Sequence, residues 1–400
     1  MRIGMVTTFY PPFSYGGDAT YVRSLASSVA ALGHEVEVLA STDAYLIHSA
    51  DEAPHDPTIG DGVTVHRLRH PAGFLAPLAS HQTGRPMLYS GALNEFFARP
   101  FDVLHFHNIS LMGAPAVLGM GQARARLLSL HDHWLICPTH VLWKNRSRAC
   151  DRRTCLSCSI RSRLPPQLWR YTGLRDRFLE KVDRILAPSS FTAQMHRSNG
   201  IRRPIEVLPL FSSIERLAEP TSNQPNRILF VGRVTALKGI AELVSVVADM
   251  PQIELLVIGD GDLKPALVER YADCANIRFL AKVDQEVLGQ HYADAAAVIV
   301  PSLVPETFGL SLVEAAAFGT PAIVAKCAGG AAEIVKKSGG GMLYDGNRQL
   351  ADAISHLVND RAHRDQMGRL ANADYLAHYT RRHHIAAYLG HVRDLLPGEL

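Results

Sequence analysis

The chain has no stretch as long as an uninterrupted apolar membrane span. Its opening residues, MRIGMVTTFYPPF, hold one Arg and only a short apolar run before polar residues and two prolines, so they lack the build of a secretory signal. A cytoplasmic location is expected. Neither sign of charge dominates: 41 Lys+Arg against 38 Asp+Glu leave net +3, so whole-chain electrostatics names no anionic partner. Short-period repeats and low-complexity tracts are also absent. What is present is 47% hydrophobic and 20% charged sequence, which excludes disorder, collagen-like repeats and coiled coil. At 400 residues the chain is longer than one core usually serves, and two domains are expected.

The order of apolar runs and helical patterns bears this out in detail. Ile3 to Val6 reads as a buried strand, followed by a loop rich in Pro and Gly and a helix with Leu25, Val29 and Leu32 on one face, stopped at Gly33. Val36 to Leu39 is the next strand, completing a β-loop-α-β unit of a parallel sheet, and Val103 to His105 and Leu127 to Leu130 continue it. The polar, proline-bearing stretch from 212 to 226 reads as an interdomain linker. Strands then recur at Arg227 to Gly232, Ile253 to Ile258, Ile277 to Leu280, Ala297 to Val300 and Ala322 to Val324, with helices between. The expected organisation is a doubly wound domain over 1–212, a linker over 213–226, a second doubly wound domain over 227–378, and a helix over 379–400 that packs back on the first. Open α/β sheets bind ligands at the carboxyl ends of their strands, and two in tandem put those ends across one cleft.

The strongest chemical signal is in the second domain. After the strand RILFV comes Gly232-Arg233-Val234-Thr235-Ala236-Leu237-Lys238-Gly239, leading into a helix. An Arg forks onto phosphate oxygens, a Lys five residues on reaches the same group as a point charge, and glycines let the backbone approach. Alone, the motif is equally a turn with solvated basic residues. Further on stands Pro305-Glu306-Thr307-Phe308-Gly309-Leu310-Ser311-Leu312-Val313-Glu314-Ala315, with a helix expected to start near Gly309 and stop at Gly319. A helix N-terminus offers free N–H groups and a positive dipole end, a seat for diphosphate, and flanking carboxylates accept hydrogen bonds from sugar hydroxyls.

These residues resemble the family 4 retaining glycosyltransferases (glycosyl transferases group 1), and the resemblance covers essentially the whole chain. It implies the GT-B fold, two Rossmann-like doubly wound parallel-sheet domains facing across a cleft. Carried over position by position, it implies that Arg233 and Lys238 bind the donor diphosphate. Glu306, the first Glu of the E-x7-E motif, would hold donor-sugar hydroxyls with the backbone of Phe308, Gly309 and Leu310, and Glu314 the ribose. Phe279-Leu280-Ala281-Lys282-Val283 sits where relatives often read F-L-G-x-V and contact the base through backbone, with Ala281 in place of the usual Gly.

In the first domain, Tyr15-Gly16-Gly17-Asp18 lies between a strand and a helix, where Gly16 and Gly17 would bring N–H groups to a phosphate or acceptor, or form only a flexible loop. His131, in His131-Asp132-His133-Trp134, follows a strand, and the resemblance places it beside the transferred sugar. His105 and His107 are weaker candidates. Expected catalytic residues are thus His131, Arg233, Lys238 and Glu306. No carboxylate stands out as the nucleophile of a double displacement. Same-face attack is therefore preferred, with the departing diphosphate taking the acceptor proton. Cationic side chains stand where other transferases use a divalent ion, so no metal is expected in catalysis. Asp260-Gly261-Asp262 reads as a structural turn.

Cys137, Cys150, Cys155 and Cys158 give C-x12-C-x4-C-x2-C, in which only the last pair has standard ligand spacing. They are read either as a structural zinc or iron–sulfur site or as free thiols or a facultative disulfide. The same Cys- and Arg-rich insertion, about 137–177, carries ten Lys or Arg and two acids between Lys144 and Arg177, net +8, leaving the rest of the chain at net −5. Trp143, Leu164, Leu168, Trp169 and Tyr171 interleave with those charges, which suits an anionic membrane surface or a lipid-linked acceptor as well as a solvated face.

The expected function is transfer of a sugar from a UDP- or GDP-linked donor to an acceptor hydroxyl, in cell-surface polysaccharide, glycolipid or glycoside synthesis, with contact at the inner face of the membrane. The alternatives are a nucleotide-sugar epimerase on the same fold, or a nucleic-acid-binding module built on the Cys and Arg segment. The second does not account for the diphosphate motifs, so no nucleic-acid partner is expected.

Overall fold

The computed structural model describes residues 1–47, 61–145, 147–151, 153–214 and 226–398. Its strands in chain order are β1 (Arg2–Thr7), β2 (Glu35–Ser41), β3 (Val63–Leu68), β4 (Phe101–Phe106), β5 (Ala123–Ser129), β6 (Trp143–Lys144), β7 (Arg148–Ala149), β8 (Arg184–Ala187), β9 (Ile205–Val207), β10 (Arg227–Val231), β11 (Glu254–Ile258), β12 (Ile277–Leu280), β13 (Ala297–Val300), β14 (Ala322–Ala325) and β15 (Gly341–Tyr344). They group into two compact units, one of residues 1–141, 151–208 and 385–400, the other of 142–150 and 209–384.

The first unit carries a seven-stranded sheet in the order β3-β2-β1-β4-β5-β8-β9. Each pairing described in it is parallel; Met5, for example, lies opposite Val38 on one side and His105 on the other. Strand order reverses between β1 and β4, and such a reversal leaves a crevice at the carboxyl ends of the two central strands. The loops leaving β1, β4 and β5 carry Gly16, His107 and His131. The end of the C-terminal helix, Arg381–Leu395, belongs to this unit: Tyr388 is fully buried and stacks on His105 with centroids 5.4 Å apart.

The second unit holds a six-stranded parallel sheet in the order β12-β11-β10-β13-β14-β15, with the reversal between β10 and β13. Ile228, Leu229, Leu255, Val257, Val298, Ile299 and Val324 are at most 1% exposed. A parallel sheet covered by helices on both faces selects such unbroken apolar runs, which is why these strands read so clearly in sequence.

The chain passes between units at 208/209 and 384/385, against expected boundaries of 212/213 and 378/379. Most of the expected linker, residues 215–225, lies outside the described residues, as do Arg146, Arg152 and residues 48–60. Leu142–Cys150, assigned from sequence to the first domain, clusters with the second unit. The first helix spans Gly17–Ala30, so Leu32 falls in the turn beyond it and is 56% exposed rather than part of the buried face.

Candidate active site

The loops leaving β10 and β13, the two central strands of the second sheet, form the candidate site. Backbone hydrogen bonds from Gly232 N to Ile258 O (3.1 Å) and from Val234 N to Asp260 O (3.0 Å) clamp the first loop against the end of β11. The packing is close enough that a Cβ on Gly259 would sit 2.0 Å from the Gly232 carbonyl oxygen. Gly239, at φ 66° between the turn Ala236–Lys238 and the helix Ile240–Ala248, lies against β13's end, where a Cβ would meet the Pro301 oxygen at 1.9 Å. Only glycine fits there, for both conformation and space. Val234 is fully buried and anchors the loop, Arg233 is exposed, and Lys238 is half-buried.

Lys238 Nζ donates to Glu306 Oε1 at 2.5 Å, and the Ser302 hydroxyl donates to the same oxygen. The backbone of Glu306 is fixed on its other side: its N–H donates to Ala328 O at 3.2 Å and its carbonyl accepts from Gly330 N at 2.8 Å. Burial presses the Glu306 carboxyl toward a higher pKa, but the Lys238 ammonium, the Ser302 hydroxyl and the Arg233 charge outweigh it and hold the group below its ordinary value. It is a carboxylate at neutral pH. Phe308, 3% exposed, roots this loop in a small apolar cluster with Val313, Ala317, Tyr375 and Tyr379. The helix Leu310–Ala317 then starts after Gly309 with no side-chain cap, which leaves its first amides directed at the loop region.

Glu314, one turn into that helix, is in a different state. It is 9% exposed and accepts from Tyr292 Oη at 2.8 Å. Burial pushes its carboxyl up to about 7, with the Tyr292 bond pulling the other way. The segment 279–283 is tied to the Asp260 turn by Lys282 N donating to Asp260 Oδ2 at 3.2 Å, with Val283 half-buried beyond it. Asp260 also pairs with Lys264 at 2.7 Å, and Lys264 donates to the carbonyls of Gly259 and Leu280. That is the geometry of a structural turn.

In the first unit, the helix Gly17–Ala30 begins after Gly16, at φ 82°, again without a side-chain cap, and Asn108 Nδ2 donates to Asp18 Oδ2 at 3.3 Å. His131 is half-buried, its Nε2 3.0 Å from His107 Nδ1, and the rings of His105 and His107 lie 3.9 Å apart. Tyr21 packs on His131 with centroids at 5.3 Å. Burial lowers the His131 pKa to about 4, against the opposing pull of Asp132, so the ring is neutral at neutral pH. Asp132 itself accepts from Trp134 N at 2.8 Å and pairs with His140 Nδ1 at 3.2 Å. The neutral state suits His131 to hydrogen bonding with a hydroxyl rather than to stabilising charge.

Burial, with Cys137 and Cys158 nearby, raises the Cys155 thiol pKa. Cys137 is buried with Sγ 3.2 Å from Thr139 Oγ1, Cys150 is exposed, and Cys155 and Cys158 lie on the helix Cys155–Arg161. None of them enters a group of three or more converging ligand atoms among the described residues. Within the basic segment, Trp169 is buried and donates to His81 O at 3.1 Å, whereas Leu168 and Tyr171 are exposed.

Sequence reasoning did not single out Ser302 or Tyr292. Ser302 carried a signal, since it stands second after the β13 run and four residues before Glu306. Tyr292 carried none, because its partner is 22 residues away on another helix.

Two family profiles match the chain, Glycosyl transferases group 1 over residues 213–374 and Glycosyltransferase Family 4 over residues 15–216. Over 95% of both chains it is 26% identical to an uncharacterized glycosyltransferase of Methanocaldococcus jannaschii. The fold matches sucrose-phosphate synthase from Thermosynechococcus elongatus at 20% identity and TM-score 0.76, with both chains fully covered. It also matches Anabaena HepE, crystallised with UDP-glucose, at 17% identity and TM-score 0.66, again over the whole of both chains. These structures share the two-sheet GT-B architecture.

Proposed function

The chain belongs to glycosyltransferase family 4, and on that premise we propose that it transfers a sugar from a nucleoside diphosphate donor to an acceptor hydroxyl with retention of anomeric configuration. The observation that carries the reading is the Lys238–Glu306 pair, set with Ser302 between two switch-point strands of the second sheet and next to an uncapped helix start. The donor diphosphate would take Lys238, Arg233 and the first amides of the helix Leu310–Ala317, through which its two negative charges are met by fixed donors. Glu306, released from Lys238, would accept hydrogen bonds from the sugar hydroxyls, and Glu314 from the ribose. The Anabaena neighbour crystallised with UDP-glucose supports a nucleoside diphosphate hexose as the ligand class.

For the chemistry we favour same-face substitution. The bond from the anomeric carbon to the diphosphate oxygen breaks, the acceptor oxygen bonds to that carbon, and the acceptor proton passes to the departing diphosphate. Arg233, Lys238 and the helix dipole stabilise the charge that develops on the leaving group. In the first unit, His131 as a neutral imidazole is assigned to hydrogen bonding with a substrate hydroxyl. Positive charge for the diphosphate comes from side chains, so turnover should survive EDTA. The exposed Leu168 and Tyr171 within the basic segment support peripheral contact with an anionic membrane or a lipid-linked acceptor. The deciding experiment is a panel of nucleotide sugars scored for binding and then for slow donor hydrolysis. A single UDP- or GDP-sugar that binds and is hydrolysed supports the reading. Donor isomerised without any acceptor would replace it with an epimerase.

A further inference from the structure

Another cluster of chemistry-bearing side chains stands at the corner where the helix Gly346–Asn359 gives way to the helix Arg361–His378. His356 is in the last turn of the first helix, Asp360 occupies the junction, and His363 is in the first turn of the second. Ligand-capable atoms of all three lie within 4.8 Å of one another, which no other group of three or more His, Cys, Asp or Glu does among the described residues. The two imidazoles face edge to face with centroids 4.7 Å apart, and Nε2 of His356 contacts Nδ1 of His363.

The corner is held independently of these rings. Asp360 N donates to His356 O at 2.9 Å, and Asp360 Oδ1 accepts from His363 N at 3.0 Å, which caps the second helix. Arg364, 7% exposed, donates to Leu357 O at 2.9 Å and to Val358 O at 3.1 Å, closing off the end of the first helix. All three ligand backbones are thus fixed in advance, which lowers the ordering cost of binding. Two imidazoles and one carboxylate suit Zn2+ and neighbouring first-row ions, whereas Mg2+ and Ca2+ call for oxygen ligands. A tetrahedral Zn2+ with bonds of 2.0–2.1 Å places its ligand atoms roughly 3.4 Å apart, a spacing that small side-chain rotations reach here. A cation also accepts a lone pair from each ring, whereas a hydrogen bond between them requires one ring to be the donor.

We propose that His356, Asp360 and His363 form a site for a divalent transition-metal ion, Zn2+ by donor chemistry, with water completing its coordination. The ion ties two helices together. The second of them carries Asn372, whose Nδ2 donates to Ala316 O and Ala317 O at 3.0 Å, capping the helix that bears Glu314. The metal therefore braces the scaffold behind the candidate active site and takes no part in the chemistry.

The test uses the full-length protein with Zn2+ or Co2+ alone as the probe. Wild type should bind one Co2+ at this site, with visible d–d bands and no intense thiolate-to-cobalt absorption, and Zn2+ should raise Tm. The H356Q/H363Q double variant should lose that ion and the Tm response. Asp360→Asn, which keeps the helix cap but removes the charge, should weaken binding at least about 10-fold with an unchanged circular dichroism spectrum. Three outcomes would overturn the proposal: a wild type with no bound ion and no Tm response, a double variant that binds as wild type does, or a cobalt spectrum dominated by thiolate.

Discussion

Lys238 and Glu306 follow the two central strands of the second sheet, and Asp18 and His107 follow the two central strands of the first, yet the two stations differ in how they treat charge. In the second unit the ends of β10 and β13 present an ammonium against a carboxylate, an exposed guanidinium beside them, and a helix start without a cap. In the first unit His105 at the end of β4, His107 just after it and His131 after β5 pack ring against ring, and burial keeps His131 uncharged. On the proposed reading, the second unit's switch point would meet a strongly anionic group, whereas the first unit's presents a neutral imidazole beside the Asp132 carboxylate. The two sheets share a topology, and the difference lies in which residues leave the strand ends.

The comparison can be broken most directly on its charged side. Arg233→Ala and Lys238→Ala should each lower turnover about 10²- to 10³-fold, the usual loss when one group stabilising developing charge is removed. Near-native steady-state rates in either variant would end the diphosphate assignment. Gly239→Ala should destabilise the protein by about 3 kcal/mol or more, because it adds left-handed strain to a contact with the Pro301 carbonyl that has no room. Urea denaturation with an unchanged midpoint would show that the loop can shift.

The pH dependence of stability sharpens the contrast within the charged unit. Glu314 has a folded pKa raised from 4.5 to about 7, so the folded state holds a proton that the unfolded chain releases. Between those values stability falls as pH rises, by up to about 3 kcal/mol from this group alone. Glu314→Gln should flatten that decline in denaturation curves taken from pH 5 to 8. Glu306, lowered instead, contributes stability that is present above its unfolded pKa and lost in acid. The smallest effect belongs to the histidines of the first unit. With His131 titrating near 4, proton NMR of its ring should show no titration between pH 5.5 and 8, and a midpoint near 6.5 would make the first station a charged one after all.

What could be read in the chain follows the same division. Strands β10, β11, β13 and β14 were legible because burial on both faces demands unbroken apolar runs, and the residues of GRVTALKG and PETFGLSLVEA lie close enough in sequence to be read as single motifs. The edge strand β15, which follows Gly339 and Gly340 and itself opens on Gly341, and β3, which alternates Val with Thr, His and Arg, gave no such signal. The Tyr292–Glu314 bond is a product of packing between helices and has no local trace. The cysteine spacing suggests a metal site, and the four sulfurs are not among the converging ligand groups of the described residues. The histidine corner at 356–363 shows the converse, with ligands that converge across a helix junction without a familiar pattern.

On the proposed reading, the Lys238–Glu306 contact would also act as a filter. An arriving anion must strip Lys238 from its carboxylate. Inorganic phosphate or a bare nucleoside diphosphate then leaves Glu306 without its cation and offers nothing in exchange. A donor that brings a sugar would hand hydroxyl groups to that carboxylate in the same movement, which would favour it over sugarless competitors.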